Sequence, residues 1–478
     1  MEPGASAAFP PKGPSPRKDR KRRPEEKGVV RRLLPDGQGE VHLESGKVLA
    51  VPGTLPGQEV VVIRLGNRGG RGRGLLVSVL RQGTNEVAAL CQHASVCGGC
   101  TFQSLEYQAQ LDHLKEVVQA TLERNGIAAS VLPVLPSPIV HGYRNKMEFT
   151  FGDARWVASD EPSDADRSFA LGMHLPGRWN RVLDLKECTI AHPTMVPILH
   201  SIREISRSLK ILPWSVVQHT GTLRHLVLRV GVHTGDVMVH LVTSGEQKDL
   251  VQSLMTRLRD QHREITTVVE TVHRGAASIS SLGSQVLHYG GGTIRESVLG
   301  RTFLISPQSF FQTNTIQAEA LFREILRAAD PKPQDRVLDL FCGSGVIGLI
   351  LASHVAEVTG YEVVPSAVED AERNAVANGI TNARFVLGDV ALTLQDPKSF
   401  GQMDLVVVDP PRAGIPKPAL QFLVDLAPRR IVYVSCNVKS AATELGVLFS
   451  AGYQLLRTQP VDLFPHTPHV ECVFTLAR

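Results

Sequence analysis

The sequence predicts a multidomain chain made of a small β-barrel of the OB type, an α+β middle region and a carboxy-terminal α/β domain on a parallel sheet. Three observations carry this. Five short β-runs separated by glycine turns follow residue 28, the pattern of a small barrel. A long β-rich stretch with cysteines at its front follows them. From Phe303 onward β-runs alternate with helical patterns, which is how parallel sheets are built.

The barrel strands are read at Val29-Val-Arg-Arg-Leu-Leu34, Val41-His-Leu43, Lys47-Val-Leu-Ala-Val51, Glu59-Val-Val-Val-Ile-Arg64 and Gly74-Leu-Leu-Val-Ser-Val-Leu80. Leu65-Gly-Asn-Arg-Gly-Gly-Arg-Gly-Arg-Gly74 then reads as a glycine-rich loop offering mobile guanidinium groups to phosphates, with an ordinary hairpin tip as the alternative. A helical stretch runs from Phe102 to Asn125. Alternating runs such as His225–Gly231 and Asp236–Val242 mark the middle region. In the last part, strands are read at 336–340, 357–361, 383–387, 404–408 and 430–434. Runs near 453–458 and 470–476 have no helix between them and read as an antiparallel pair. Five parallel strands closed by such a hairpin are the class I methyltransferase pattern, whereas dinucleotide folds end on a parallel sixth strand. The domains are set at 1–27 (tail), 28–85 (barrel), 86–300 (middle) and 301–478 (α/β).

A length of 478 residues exceeds what one core supports. No apolar run is long enough to span a bilayer, and the amino terminus lacks a secretory apolar stretch. Seven cysteines are too unevenly placed for a disulfide scaffold. They suit a reducing, cytoplasmic setting, where clustered thiols mean metal or catalysis. Net charge is +4, but residues 1–32 carry ten Lys/Arg against four acids. The Pro-, Gly- and basic-rich segment 1–27 is expected to be disordered, either as an arm for nucleic acid or as a solvated tail.

Three strand ends hold the candidate chemistry. Cys436 follows the run Arg430–Ser435, and ligands of open α/β sheets bind beyond the carboxyl ends of strands. Asp404-Leu-Val-Val-Val-Asp-Pro-Pro-Arg412 ends a second strand. Val337-Leu-Asp-Leu-Phe-Cys-Gly-Ser-Gly-Val-Ile-Gly348 supplies a G-x-G-x-x-G loop starting at Gly343, with Glu362 at the end of the next strand to meet ribose hydroxyls. The loop fits NAD as well as S-adenosylmethionine. Asp339 before the loop and Asp409-Pro-Pro favour the methyl donor. Asp389 is placed either to meet an adenine edge or to cap a helix. Cys91-x5-Cys97-x2-Cys100, with Cys188 downstream, supplies four thiolates for zinc or an iron–sulfur cluster, and spacing leaves that choice open.

The ordered motifs Cys91–Gln103, Tyr143-Arg-Asn-Lys146, Ser306-Pro-Gln-Ser-Phe-Phe-Gln-Thr-Asn314, Asp409-Pro-Pro-Arg-Ala-Gly414, Val434-Ser-Cys-Asn437 and Pro465-His-Thr-Pro-His-Val-Glu471 resemble the RNA uracil-C5 methyltransferases of the RumA/TrmA family. The resemblance spans almost everything after the tail. It implies that the barrel is a TRAM module and that the four cysteines hold a [4Fe-4S] cluster. It also implies that Cys436 is the nucleophile and Glu471 the base for the C5 proton. Gln312, Phe341, Gly343, Glu362, Asp389 and Asp409 match donor-binding positions. Val346 stands where some relatives have Asn, which puts one donor contact in doubt. The expected activity is S-adenosylmethionine-dependent methylation of a uridine in RNA by a monomer without membrane attachment. Ribosomal RNA is the expected substrate and transfer RNA the alternative. A decayed RNA-binding or assembly protein is the reading from another class, and the Cys436/Glu471 pair argues against it. An NAD oxidoreductase is disfavoured by Asp409-Pro-Pro and the terminal hairpin.

Overall fold

A computed structural model describes residues 23–158, 161–162, 164–276, 283–393 and 397–478. Most of the tail expected to be disordered, residues 1–22, lies outside them. The chain divides into two compact units, Met1–Thr84 and Asn85–Arg478.

In the first unit, β1 (Glu25–Leu33), β2 (Gly39–Leu43), β3 (Val48–Val51), β4 (Glu59–Arg68) and β5 (Arg71–Arg81) close a barrel in the order β1-β2-β3-β5-β4. Alternate side chains, among them Val30, Val41, Val51, Val60 and Val62, fill its interior. Two details differ from the sequence reading. Glu25, Glu26 and Lys27, assigned to the tail, are strand and pair with Ile63, Val62 and Val61. Residues 65–74, read as a loop, are mostly ladder, with Arg68 opposite Arg71. The turn between them is Gly69-Gly70, with φ of 58° and 77°. Positive φ at both central residues suits the right-handed twist of a hairpin, so the strands run on to the glycine pair.

The second unit holds two large sheets. Its first helix, α1 (Tyr107–Arg124), precedes β6 (Lys146–Gly152), β7 (Ala170–Leu175), β8 (Arg178–Asp184) and α2 (Met195–Ser208). Then come β9 (Leu223–Val230), β10 (Val237–Thr243), α3 (Lys248–Gln261), β11 (Ile265–Val272) and β12 (Ser284–Tyr289). The sheet order is β12-β11-β10-β9-β6-β7-β8. The small hairpin β13 (Ile294–Val298) and β14 (Arg301–Ile305) leads into α4 (Thr315–Ala329), which Asn314 caps by accepting from the Gln317 amide.

The last sheet contains β15 (Arg336–Leu340), α5 (Val346–Leu351), β16 (Glu357–Glu362), α6 (Pro365–Ala377), β17 (Ala383–Leu387), α7 (Val390–Thr393), β18 (Leu405–Val408), α8 (Lys417–Leu426), β19 (Arg430–Ser435), α9 (Val438–Ser450), β20 (Gln454–Val461) and β21 (Glu471–Ala477). Its order is β17-β16-β15-β18-β19-β21-β20. The five strands from β17 to β19 are parallel, and β21 is antiparallel to both β19 and β20. Both faces are covered, which explains the unbroken apolar runs. Val337, Val407 and Val432 pack on one side, Leu338, Val406 and Tyr433 on the other.

One boundary moves. The helix placed with the middle region belongs to the core of this sheet: Leu111, Leu114, Val118 and Leu122 of α1 pack with Leu445 and Leu448 of α9 and with Phe474 of β21. The apolar face of an amphipathic helix is buried against whatever sheet lacks cover, and here that is the sheet at the far end of the sequence.

Candidate functional site

Every candidate at the last sheet lies at one edge. Phe341, Glu362, Asp389, Asp409 and Cys436 stand at or just beyond the carboxyl ends of β15, β16, β17, β18 and β19. Glu471 opens β21, whose amino end reaches the same edge because it runs antiparallel. Ser435 pairs with Cys472, so the ladder brings Glu471 level with Cys436 although 34 residues of chain separate them. Just past Cys436, Asn437 caps α9 by accepting from the Lys439 amide and donates to the Arg412 carbonyl.

The electrostatics of this edge agree with its geometry. Burial, and then the charges of Glu471 and Asp409, push the Cys436 thiol up, while Arg412 pulls it down. Burial, and then Asp409, raise the Glu471 carboxyl to about 8, and Arg412 again opposes the shift. Burial alone raises Asp409 to about 7. Asp339 sits deeper, raised to about 8 chiefly by burial. It accepts from the Gly348 amide, while its Oδ1 has no partner. Carboxyl groups in such surroundings keep their protons into the neutral range because little water remains to solvate the charge. Arg412, quoted in a motif but given no role from sequence, is the cation common to Cys436 and Glu471.

The glycine loop leaves room for a donor. Gly343 has φ of 54° and a Cβ there would meet nothing within 4 Å, so a ligand can approach the backbone closely. At Gly345, φ is 79° and a Cβ would stand 2.8 Å from Phe385 and 2.9 Å from Ala371; only glycine fits. The Glu362 carboxylate accepts from the Gly343 amide at 3.1 Å and from the Val363 and Val364 amides, which orients it at the mouth of the loop. Asp389 accepts from the Ala391 amide at 2.8 Å, the capping arrangement that was its alternative reading. Gln312 is held through its main chain: Asn145 of the neighbouring sheet donates to the Gln312 carbonyl and to Thr315. Asn145 was quoted only as part of a motif. Beside Gln312, Phe310 is 68% exposed, an apolar ring facing solvent that sequence reasoning passed over. These features accommodate a nucleoside-bearing donor.

Elsewhere in the second unit, Cys91, Cys97, Cys100 and Cys188 line one cavity of about 290 Å³ with Gln103, Arg144 and Glu187, and Cys436 is not among its lining residues. Gln103 accepts from the Cys91 amide and donates to Thr189, lacing the two cysteine segments together. The seven cysteines are free thiols. Among the described residues no group of three or more His, Cys, Asp or Glu stands close enough to hold a metal ion. Among them also, no helix is long and apolar enough to cross a membrane. In the barrel, Arg68, Arg71 and Arg73 share a cavity of about 300 Å³ with Asp36 and Gln38. Arg64, earlier on β4, lies 3.8 Å from Glu26.

A parallel sheet closed by an antiparallel hairpin, with a glycine loop after its first strand and carboxylates at the following strand ends, defines an S-adenosylmethionine-dependent methyltransferase. The model of the tRNA (uracil-5-)-methyltransferase family matches residues 214–478. An uncharacterized RNA methyltransferase of Caldanaerobacter subterraneus is 36% identical, covering 91% of this chain and 94% of its own length. One from Chlorobaculum tepidum is 37% identical, covering 84% and 85%. The crystal structure of Pyrococcus abyssi tRNA (uracil-54, C5)-methyltransferase in complex with S-adenosyl-L-homocysteine is similar at 30% identity and a TM-score of 0.76, over 94% of this chain and 99% of that one. The chain belongs to the RNA uracil-C5 methyltransferase family and is an enzyme of that class.

If Glu362 binds the donor ribose, Glu362→Gln loses a hydrogen bond to a charged group, worth about 1.5–3 kcal/mol. Calorimetric titration with S-adenosylmethionine should then show a dissociation constant raised about 10- to 100-fold. An unchanged constant would remove Glu362 from the donor site.

Proposed function

We propose that the enzyme methylates C5 of a uridine in RNA through a covalent adduct between Cys436 and C6 of the base. The observation that carries this reading is the antiparallel register that sets Glu471 beside Cys436 at the sheet edge. Uracil C5 is a poor nucleophile until a thiolate adds to C6 and turns the ring into an enolate. C5 then takes the methyl group from the donor's sulfonium. Glu471 removes the C5 proton, and the electron pair left behind re-forms the C5–C6 double bond and expels the thiolate. Arg412 favours the anionic forms of both groups. Gln312, Phe341, Gly343, Glu362, Asp389 and Asp409 are the proposed donor contacts. The target base must leave its stack to reach the edge, which loops and single strands permit at low cost.

A ribosomal RNA substrate is supported by the barrel and the cysteine array. Transfer RNA is the second reading, favoured by the Pyrococcus relative, which acts on tRNA. Nucleoside mass spectrometry of both RNA classes from a deletion strain separates them: the class that loses 5-methyluridine is the substrate, and no loss in either defeats the proposal. Cys436→Ala should abolish turnover together with any adduct on 5-fluorouridine RNA. Glu471→Gln should let the adduct on ordinary RNA accumulate. Persistent turnover in Cys436→Ala would refute the nucleophile.

The reaction should also report its protonation states. A base at about 8 is protonated below that value and active above it, and Cys436 must likewise lose its proton. Single-turnover rates should therefore climb between pH 7 and 9. A rate that falls across that window would exclude Glu471 as the base.

Cys91, Cys97, Cys100 and Cys188 are proposed to hold a [4Fe-4S] cluster, which when bound supplies a rigid cross-link between the 91–100 segment and the turn that follows β8. Four thiols around one cavity support this. Methyl transfer needs no electrons, so the role is structural, and a reducing cytoplasm suits it. Protein purified without oxygen should contain iron and acid-labile sulfide. Stoichiometric zinc without sulfide would overturn the assignment.

A further inference from the structure

The loop that delivers Glu471 is held at one residue, His466, from both sides of its peptide. Its carbonyl accepts from the Thr101 and Phe102 amides at 2.8 and 2.9 Å. Its amide donates to Oε1 of Gln110 at 2.9 Å, and Nε2 of the same Gln110 lies 3.3 Å from its ring Nδ1. Gln110, on α1, is 1% exposed. Its Nε2 also donates to the Leu105 and Phe102 carbonyls at 2.7 and 3.1 Å. One side chain therefore fixes both the turn before α1 and the loop before β21. Tyr143 adds a bond to the neighbouring Pro465 carbonyl at 3.1 Å, and His141 stacks on the His466 ring at 4.7 Å.

His466 pays for this placement with its backbone. Its φ is 70°, a left-handed conformation that side-chain-bearing residues rarely adopt and that persists where the surroundings over-determine it. Thr467 then closes the turn by bonding the Phe464 carbonyl, and Glu471 follows at the start of β21.

From these contacts we infer that Gln110 is a positioning residue for the C5 proton-transfer step, holding the 465–471 loop so that the Glu471 carboxylate meets the methylated adduct. This rests on the reading of Glu471 as the base. The step it controls breaks the C5–H bond, gives the proton to the Glu471 carboxylate, returns the electron pair to the C5–C6 bond and releases Cys436 as thiolate. A displacement of about 1 Å at such a group costs on the order of a hundredfold in rate. Thiol addition and methyl transfer precede this step and do not use Glu471. Loss of the clamp should therefore slow only the last half of the reaction. The clamp donors Thr101 and Phe102 directly follow Cys100, so the cysteine-lined cavity and the base loop are also one hydrogen-bonded unit.

The test uses the full-length protein and RNA labelled with tritium at uridine C5. Wild type, Gln110→Leu, Gln110→Glu, His466→Asn and Glu471→Gln are compared for tritium release, adduct trapped on denaturing gels and donor affinity. Gln110→Leu is expected to release tritium about 10- to 100-fold more slowly and to accumulate adduct, with donor affinity within twofold of wild type. Gln110→Glu, which keeps the acceptor for the His466 amide but loses the two carbonyl donors, should fall between them. It carries the test if the leucine variant does not fold. His466→Asn should stay near wild type, since asparagine tolerates positive φ and keeps both main-chain bonds. Folded Gln110 variants with wild-type tritium release and no adduct would overturn the inference while leaving the proposed reaction standing. Slowed release with weakened donor binding and no adduct would reduce Gln110 to a packing role, which also overturns it. If Glu471→Gln itself traps no adduct, the reading of the base fails first, and this inference with it.

Discussion

The candidate site depends on strand direction. In a purely parallel sheet, only carboxyl ends reach the ligand-binding side, and every residue there follows its strand into a loop. Reversing β21 next to β19 brings an amino end to the same edge. A side chain at the first position of that strand is then held by the ladder on one side and by the clamped loop before it on the other. Glu471 occupies that position and Cys436 leaves the neighbouring strand beside it. The hairpin that closes the sheet is therefore what places a carboxyl group against the thiol.

Burial does the rest of the work at this edge. Asp339, Asp409 and Glu471 are removed from water, and each is raised into or above the neutral range. If ionised, Asp409 would repel Asp339, Glu471 and Cys436, and Glu471 would repel Cys436. Holding them mostly neutral lets the sheet tolerate them, and Arg412 opposes the shift at Glu471 and at Cys436. The same arrangement raises the Cys436 thiol and so favours its protonated form.

The two halves of the second unit are tied by polar and apolar threads. α1 covers the last sheet with its leucines. Tyr107 at its start donates to Asp462, and the Ser137 amide donates back to Tyr107. Asn145 reaches from the middle sheet to the Gln312 loop. The helix that follows the cysteines thus packs on, and bonds to, strands and loops that come more than three hundred residues later, so the cysteine cavity and the candidate site are built on shared supports.

Much of this was legible in the amino-acid sequence. The parallel strands, the terminal hairpin and the barrel announced themselves because buried strands need apolar runs and tight turns need glycine, and both leave local marks. The candidate residues at Cys436, Asp409, Glu362 and the Gly343 loop were legible for the same reason: each sits at the end of a readable strand. What local pattern does not carry is partnership across the chain. The arginine hairpin looked like a loop because glycines mark turns and ladders alike, and only pairing with Gly72–Gly74 shows where the strand stops. The assignment of α1 to the last sheet, the role of Arg412 as a shared cation, and the hold of Gln110 on His466 all depend on which distant surfaces meet. An amphipathic helix declares that one face will be buried; only the folded chain decides against what.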